Sequence, residues 1–370
     1  MMESMMEKSQ QITLPVVEIY LAIEEQILIN VAKRLKRHKS LMDEDIQSWQ
    51  LMKLQELGSL TQENIITIAR HSGLAIDEVS RMLEQAGYTA VTRIDEDIAV
   101  EEAVRRGLLI RPSDASVNPV LEQILDSYRR QARDTFNLIN TTLLDQSRQA
   151  YINILNETVG KVLTGNITPY QALRETIRKW SQQGIPALID RAGRRWSTEA
   201  YVSMVTRTMN NRIANDMQDE RMNEYDIDLI EVSSHRGARR LCAPFQGRIY
   251  SRNGLSDKYP PLSTTSYGRP AGLFGINCRH VRFPYIEGVS VKRYHPYNEE
   301  ENRKAYEESQ RQRYLERRIR EAKRELAMME AIGDQEGIKE ARRKLRERQA
   351  IMRKFIEETG LTRRYEREQI

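Results

Sequence analysis

From residue 119 to 164 the chain carries Val120, Leu121, Ile124, Tyr128, Phe136, Ile139, Leu143, Ile154, Leu155, Val159 and Val162 at helical spacing. No proline interrupts the run and Gly165 closes it. An apolar period near 3.6 held over that length predicts one long amphipathic helix, and a chain organised around such a helix is mostly α. The next signal agrees. In Thr168-Pro169-Tyr170-Gln171, threonine stands at an N-cap, proline at the first helical position and glutamine where a capping box needs its acceptor, so a second helix starts there. A third begins after Trp196, with Ser197 as its cap, and runs toward Tyr225.

Upstream, residues 14–36 place Val17, Leu21, Ile23, Ile27, Leu28, Val31 and Leu35 at mixed three and four spacing before the basic run KRLKRHK. This predicts an amphipathic helix whose cations suit the negative end of its dipole. Residues 59–87 are punctuated differently. Thr61 reads as an N-cap, Gly73 as a stop, Asp77 as a new start and Gly87 as a second stop, which predicts two short helices around a turn. That pattern resembles a helix-turn-helix or a small bundle, but neither helix shows the Arg/Asn/Gln face that reading bases requires.

The texture changes at Asp228. Leu229–Val232 reads as a strand, further strands are expected at GRIYS (247–251) and HVRFP (280–284), and the intervening chain is rich in Gly, Pro, Ser and Tyr. After Pro296 the helical period returns. Leu315, Ile319, Ala322, Leu326 and Met329 lead to the turn GDQEG, then Ile338, Ala341, Leu345, Met352 and Phe355 resume the rhythm. Two stripes across a tight turn predict an antiparallel helical hairpin. The expected fold is therefore mostly α with a small α+β loop-rich module: long amphipathic helices, short strands at about 228–285, and the C-terminal hairpin. Four regions follow: residues 1–111 (helical, with the small bundle at 59–87), 112–225 (long helices), 226–297 (the loop-rich module) and 298–370 (the hairpin).

Charge is uneven along this plan. Of a net +5, residues 311–370 hold 18 Lys/Arg against 12 Asp/Glu, which leaves 40 against 41 for residues 1–310. All the net basicity sits in the tail, where it can attract phosphate through counterion release or serve as a solvated face. No stretch approaches eighteen consecutive apolar residues, so no membrane span is expected. Two cysteines cannot frame so long a chain, and the polar start MMESMMEKSQQ lacks the apolar region of a signal peptide, so folding in a reducing cytoplasm is expected.

Both cysteines and three of five histidines fall between 235 and 295: His235, Cys242, Cys278, His280 and His295. Three readings stay open. His235, Cys242, Cys278 and His280 offer a Cys2His2 donor set for a structural zinc, which would give a loop-built module folding free energy. Their spacings are not those of a zinc knuckle, so ordinary buried thiols and hydrogen-bonded imidazoles compete with it. A cysteine nucleophile paired with His280 or His235, beside Arg279, is the third. No GxxxxGK, HExxH or GxSxG is present.

The runs SSHRGARRLCAPFQGRIYS (233–251) and YGRPAGLFGINCRHVRFPYIEG (267–288) resemble the phage minor capsid protein 2 family, which typically shows these elements in this order. The matching positions include His235, Gly237, Ala238, Arg239, Gln246, Gly247, Tyr267, Gly268, Gly272, Leu273, Asn277, Cys278, Arg279 and His280. TGLTRR (359–364) is similar to that family's ending, and Val-Thr-Arg-Thr (205–208, with Arg207 and Thr208) to an element of head-morphogenesis proteins of the Mu F type. Cys242 departs from the family, which often has histidine there. Both are zinc ligands, so a metal site survives the exchange better than a catalytic scheme does.

The resemblance implies a low-copy virion protein of a tailed-phage head, made in the host bacterial cytoplasm. Its partners would be the portal and other head proteins, and packaged double-stranded DNA would touch the basic hairpin. It further implies a role in head morphogenesis and in organising or ejecting DNA, with no catalysis. A zinc-dependent hydrolase or nuclease-like enzyme using the His/Cys cluster, and a nucleic-acid binder outside any virion, are the alternatives. Arg239 and Arg279 are expected to fix loop carbonyls or carboxylates with their guanidinium forks.

Overall fold

The structure is a computed structural model that describes the backbone of residues 2–165 and 167–370, with side chains from residue 12 on. The described residues form ten α-helices and five short strands. The helices are α1 (Met2–Lys36), α2 (Leu41–Glu44), α3 (Ile46–Gln55), α4 (Leu57–Asp95), α5 (Ile98–Arg105), α6 (Pro119–Leu163), α7 (Pro169–Gln183), α8 (Thr198–Glu224), α9 (Glu299–Ile332) and α10 (Gln335–Thr359). The strands are β1 (Pro186–Ile189), β2 (Arg195–Ser197), β3 (Leu229–Val232), β4 (Ile249–Ser251) and β5 (Arg282–Pro284). The mostly α architecture with a small strand module is as the sequence predicts. None of these helices is long and apolar enough to cross a membrane.

The chain divides into two compact units, each assembled from separated segments. One comprises Val17–Ala75, Thr135–Val202 and Gln310–Ile370. Its core is helix on helix: Tyr20 of α1 stacks on Phe136 of α6 with ring centroids 5.4 Å apart, and its hydroxyl donates to Asn140 Oδ1 at 3.0 Å. A buried polar row crosses this core, Asn30 to Asn64 at 3.0 Å and Asn64 to Ser147 at 3.2 Å. Such a fully paired row fixes the register of three helices that apolar contacts alone would let slide. The expected capping box of α7 is present, with Gln171 N–H donating to Thr168 Oγ1 at 3.3 Å and the Gln171 side chain accepting from Thr168 N–H at 3.2 Å.

The predicted hairpin is α9 and α10, packed through Leu315, Ile319 and Met352. Asp334 caps α10 by accepting from Gly337 N–H at 3.0 Å. The same carboxylate takes a bidentate contact from Arg174 at 2.6 and 2.9 Å, which ties the hairpin turn to α7.

The other unit comprises Met1–Val16, Ile76–Asp134 and Ser203–Ser309. Its sheet has the order β4-β3-β5, antiparallel throughout, with Ile230 opposite both Tyr250 and Pro284. Ile230, Val232 and Tyr250 of the sheet share a buried cluster with Leu262 and Leu273 of the loops, Met222 near the end of α8 and Tyr225 just beyond it. Arg221, also on α8, pairs with Asp95 and Glu224.

One expectation fails. Residues 59–87 do not form two helices around a turn; they belong to α4, which is continuous from Leu57 to Asp95. Leu60, Ile68, Ala75, Val79, Met82 and Leu83 are buried in a helical phase that passes straight through Gly73. Burying those side chains outweighs the roughly 1 kcal/mol that an interior glycine costs a helix. Thr61 is no cap, since its hydroxyl donates back to Leu57 O at 2.7 Å within the helix. Gly87 has a packing role instead of a stopping one: a Cβ there would overlap Met217 Sδ on α8. At Gly73 nothing lies within 4 Å of an added Cβ. Gly73→Ala should therefore stabilise the protein by about 0.5–1 kcal/mol, read as a higher urea midpoint at unchanged slope.

Candidate functional site

The candidate site grows out of the β3–β5 pairing. Beyond Val232 the ladder continues, with Ser233 N–H donating to Val281 O at 2.9 Å and Val281 N–H to Ser233 Oγ at 2.9 Å. One step further along this antiparallel register the His235 and His280 segments run side by side. Their rings stack with centroids 4.4 Å apart and a tilt of 32°. Cys278 arrives two residues before His280, at the end of a loop folded back on itself. Within it Phe274 and Asn277 take left-handed φ of 58° and 56°. Gly275 is required for the fold-back, because a Cβ there would stand 2.5 Å from Pro270 O. Cys242 comes from a separate turn, closed by its own N–H on Arg239 O at 2.8 Å.

The result is three donor atoms from two stretches of the sequence, thirty-six positions apart. One ligand atom each of Cys242, Cys278 and His280 lies within 4.8 Å of the other two, and the ring nitrogens of His235 fall outside that group. The three residues are 1%, 7% and 1% exposed. Cys278 Sγ faces His280 Nδ1 at 3.4 Å and accepts from Phe274 N–H at 3.1 Å. Arg239 Nη2 points at Cys242 Sγ from 3.8 Å.

The surrounding hydrogen bonds fix the tautomer of His280. Gln246 Oε1 accepts from the backbone N–H of His235 at 2.9 Å, a group that can only donate, so the orientation of the amide is determined. The same oxygen lies 3.3 Å from His280 Nε2, which must therefore carry the hydrogen. His280 Nδ1 is left with its lone pair turned toward the sulfurs.

The electrostatics follow from burial and sharing. A hydrogen bond from Cys242 draws the Cys278 thiol well below its ordinary range, and contact with His280 adds to this. The reciprocal effect, with burial, pushes Cys242 up. His235 is pushed down to about 3, by burial first and then by the neighbouring His280, so it is neutral at physiological pH.

The remaining motif residues shape the loops. Arg239 donates to Ile276 O at 2.8 Å and Gly272 O at 3.4 Å, as expected of a guanidinium that fixes carbonyls. Arg279 is half-buried, and its charge is one of those keeping His235 neutral. Gly237 (φ 78°) lies against the backbone of Ala305 and Tyr306, and Gly247 (φ 64°) against that of His295 and Pro296. Tyr267 meets Phe274 edge-on at 6.2 Å, and Gly268 turns the chain at φ 83°. Arg207 and Thr208 sit on α8, where the Thr208 hydroxyl donates to Met204 O at 2.6 Å.

Three supporting residues have no sequence signal of their own. Asn211 of α8 donates to Cys278 O at 3.2 Å. Asn302 clasps Ala238 from both sides, accepting from its N–H and donating to its carbonyl, each at 2.8 Å. Glu231 accepts from the backbone N–H groups of Arg293 and Tyr294 at 2.8 and 2.7 Å, which pins the strap that follows β5; burial raises its pKa.

Chemically, two sulfurs and an imidazole nitrogen can hold a soft cation, or a thiolate and a histidine can act on an electrophile. The second use needs the sulfur to be reachable, and Cys278 is buried beneath Phe274 and its own loop.

Comparison with known proteins adds three findings. The family described as phage minor capsid protein 2 matches residues 7–357. A protein of Lactococcus phage LL-H named "Structural protein" is 31% identical over 369 residues, covering 95% of this chain and 97% of that one. A second "Structural protein", from Lactococcus phage mv4, is 40% identical over 117 residues, 31% of this chain and 95% of that one. No solved structure matches.

Proposed function

We propose, on the premise that this chain belongs to the phage minor capsid protein 2 family, that it is a low-copy head component bound at the portal, acting in head assembly and in organising or releasing packaged DNA. The observation that carries this reading is the extent of the family match, residues 7–357, which takes in segments of both compact units. The chain is thus a phage structural protein throughout, and the virion is its place of work. Assembly in the host cytoplasm precedes that.

In this reading the loop-rich module is a docking platform and the helices are gripping surfaces for the portal and other head proteins. Its His/Cys cluster carries no reaction. The test is a phage with an early stop codon in this gene. Particles should lose the protein and infectivity together, and cross-linking of wild-type particles should join this chain to the portal. Fully infectious particles of normal composition would defeat the proposal.

The DNA contact has a specific candidate surface. Lys339, Arg343, Arg346 and Arg353 are exposed at spacings of four, three and seven along α10, one face of a helix over about 21 Å. Such a stripe suits contact with backbone phosphates, which positions a protein on a duplex without reading any base. Replacing all four by glutamine in the full chain should weaken duplex DNA binding at low salt at least tenfold. It should also flatten the dependence of log affinity on log salt by about 3 to 4. Unchanged binding would remove α10 from the DNA contact.

A further inference from the structure

We infer that Cys242, Cys278 and His280, completed by His235, hold one divalent cation of the zinc class, and that this cation is a structural clamp within the loop-rich module. The inference goes beyond the virion role and stands on the site's own geometry.

Two sulfurs and one imidazole nitrogen are the donors that favour zinc over the hard cations magnesium and calcium, which take oxygen. The three atoms already lie within 4.8 Å of one another, although they come from a turn, a loop and the lead-in to a strand. The surrounding contacts are arranged as they are around a ligated metal. The Nε2–H of His280 is taken up by Gln246 Oε1, so its Nδ1 lone pair points inward. Phe274 N–H and the Arg239 guanidinium are aimed at the two sulfurs, as donors are around ligating sulfur.

Backbone strain points the same way. Phe274 holds a left-handed φ of 58°, a conformation a bulky side chain rarely adopts, and it is this residue whose N–H reaches Cys278 Sγ. Strain of that kind persists where the surroundings over-determine it, and ligand clamps are such places. The fourth donor is His235. Its ring already lies 4.4 Å from that of His280, and imidazole nitrogen is a donor of the same class. Closing the site with a fourth protein ligand leaves no open position for water, which is the mark of a structural centre.

The full-length protein, purified without chelator, should contain one zinc per chain. Cobalt substituted for that zinc should give the thiolate charge-transfer absorption of a tetrahedral site. X-ray absorption should find two sulfurs near about 2.3 Å and two nitrogens near about 2.0 Å. Cys242→Ser and Cys278→Ser should each weaken zinc binding at least 100-fold, and His235→Ala at least tenfold. Should the cysteine variants fail to fold, the sulfur and nitrogen count on the wild-type protein still decides the ligand set. A folded wild-type protein that takes up no zinc from micromolar excess would overturn the site. Unaltered zinc affinity in His235→Ala would overturn its closure by four protein ligands. Incorporation into particles, measured separately, reports on the virion role and not on the metal.

Discussion

Arg221→Ala is expected to cost the protein about 3–5 kcal/mol, the range for removing one partner of a buried charge cluster. The Arg221 side chain is 3% exposed. Its guanidinium makes a bidentate pair with Asp95 at 2.7 and 3.0 Å, bonds Glu224 at 2.9 Å and donates to Ser113 O at 2.9 Å. Tyr225 donates to the same Asp95 oxygen at 2.9 Å. Alanine would leave two partly buried carboxylates facing each other with no cation between them, and would free the loop held through Ser113. Chemical denaturation should show the loss as a lower midpoint with an unchanged slope. Asp95→Asn in the Arg221→Ala background should recover part of it, because one of the stranded charges is then gone. A loss under about 1 kcal/mol would mean that the carboxylates rehydrate freely and that the cluster is not a keystone of the unit.

Gly247→Ala is the second large effect, about 2–5 kcal/mol. Two independent costs add. A left-handed φ of 64° costs an alanine roughly 1–2 kcal/mol. The new Cβ would also stand 2.6 Å from Pro296 N and overlap the His295 carbonyl carbon, and crowding against backbone costs about 1–3 kcal/mol. Gly247 N–H donates to Val232 O at 3.0 Å, so the chain cannot swing away without opening the β3–β4 ladder. Gly268→Ala is the control: its φ is 83°, but nothing lies within 4 Å of the added Cβ, so only the first cost applies. Equal losses at the two positions would show that the strap over Gly247 yields to the methyl group.

What was legible in the sequence was whatever a few neighbouring residues decide. Thr168, Pro169 and Gln171 announce α7 because a capping box is complete within four positions. The proline-free period from 119 to 164 gives α6 almost to its ends. The strands near 229, 249 and 282 stand out because the helical period stops there. At 59–87 glycine is not punctuation: Gly73 is carried through by the buried phase of α4, and Gly87 answers to Met217 on another helix. Neither reason is local. The short hairpin of β1 and β2 has too little alternation to leave a signal in the sequence, though Asp190 accepts from Ala192 and Arg194 N–H, each at 3.0 Å, and closes its turn.

The candidate site was half legible. Its residue types stood out as the chain's two cysteines beside its clustered histidines, but the spacing could not say which of them meet. That depends on the β3–β5 register and on left-handed turns at Phe274 and Asn277, residues whose side chains give no hint of such a backbone. Asn211 and Asn302 were invisible for the same reason, since each acts across more than sixty positions.

The discontinuous make-up of the two units has a consequence for biosynthesis. One unit needs its segment Ser203–Ser309 and the other its segment Gln310–Ile370, so neither can close while the ribosome still holds the last third of the message. Long helices emerge early with their apolar stripes uncovered, and non-local closure comes late. Chains cut short by premature termination should therefore be insoluble or rapidly degraded, and should not survive as working fragments.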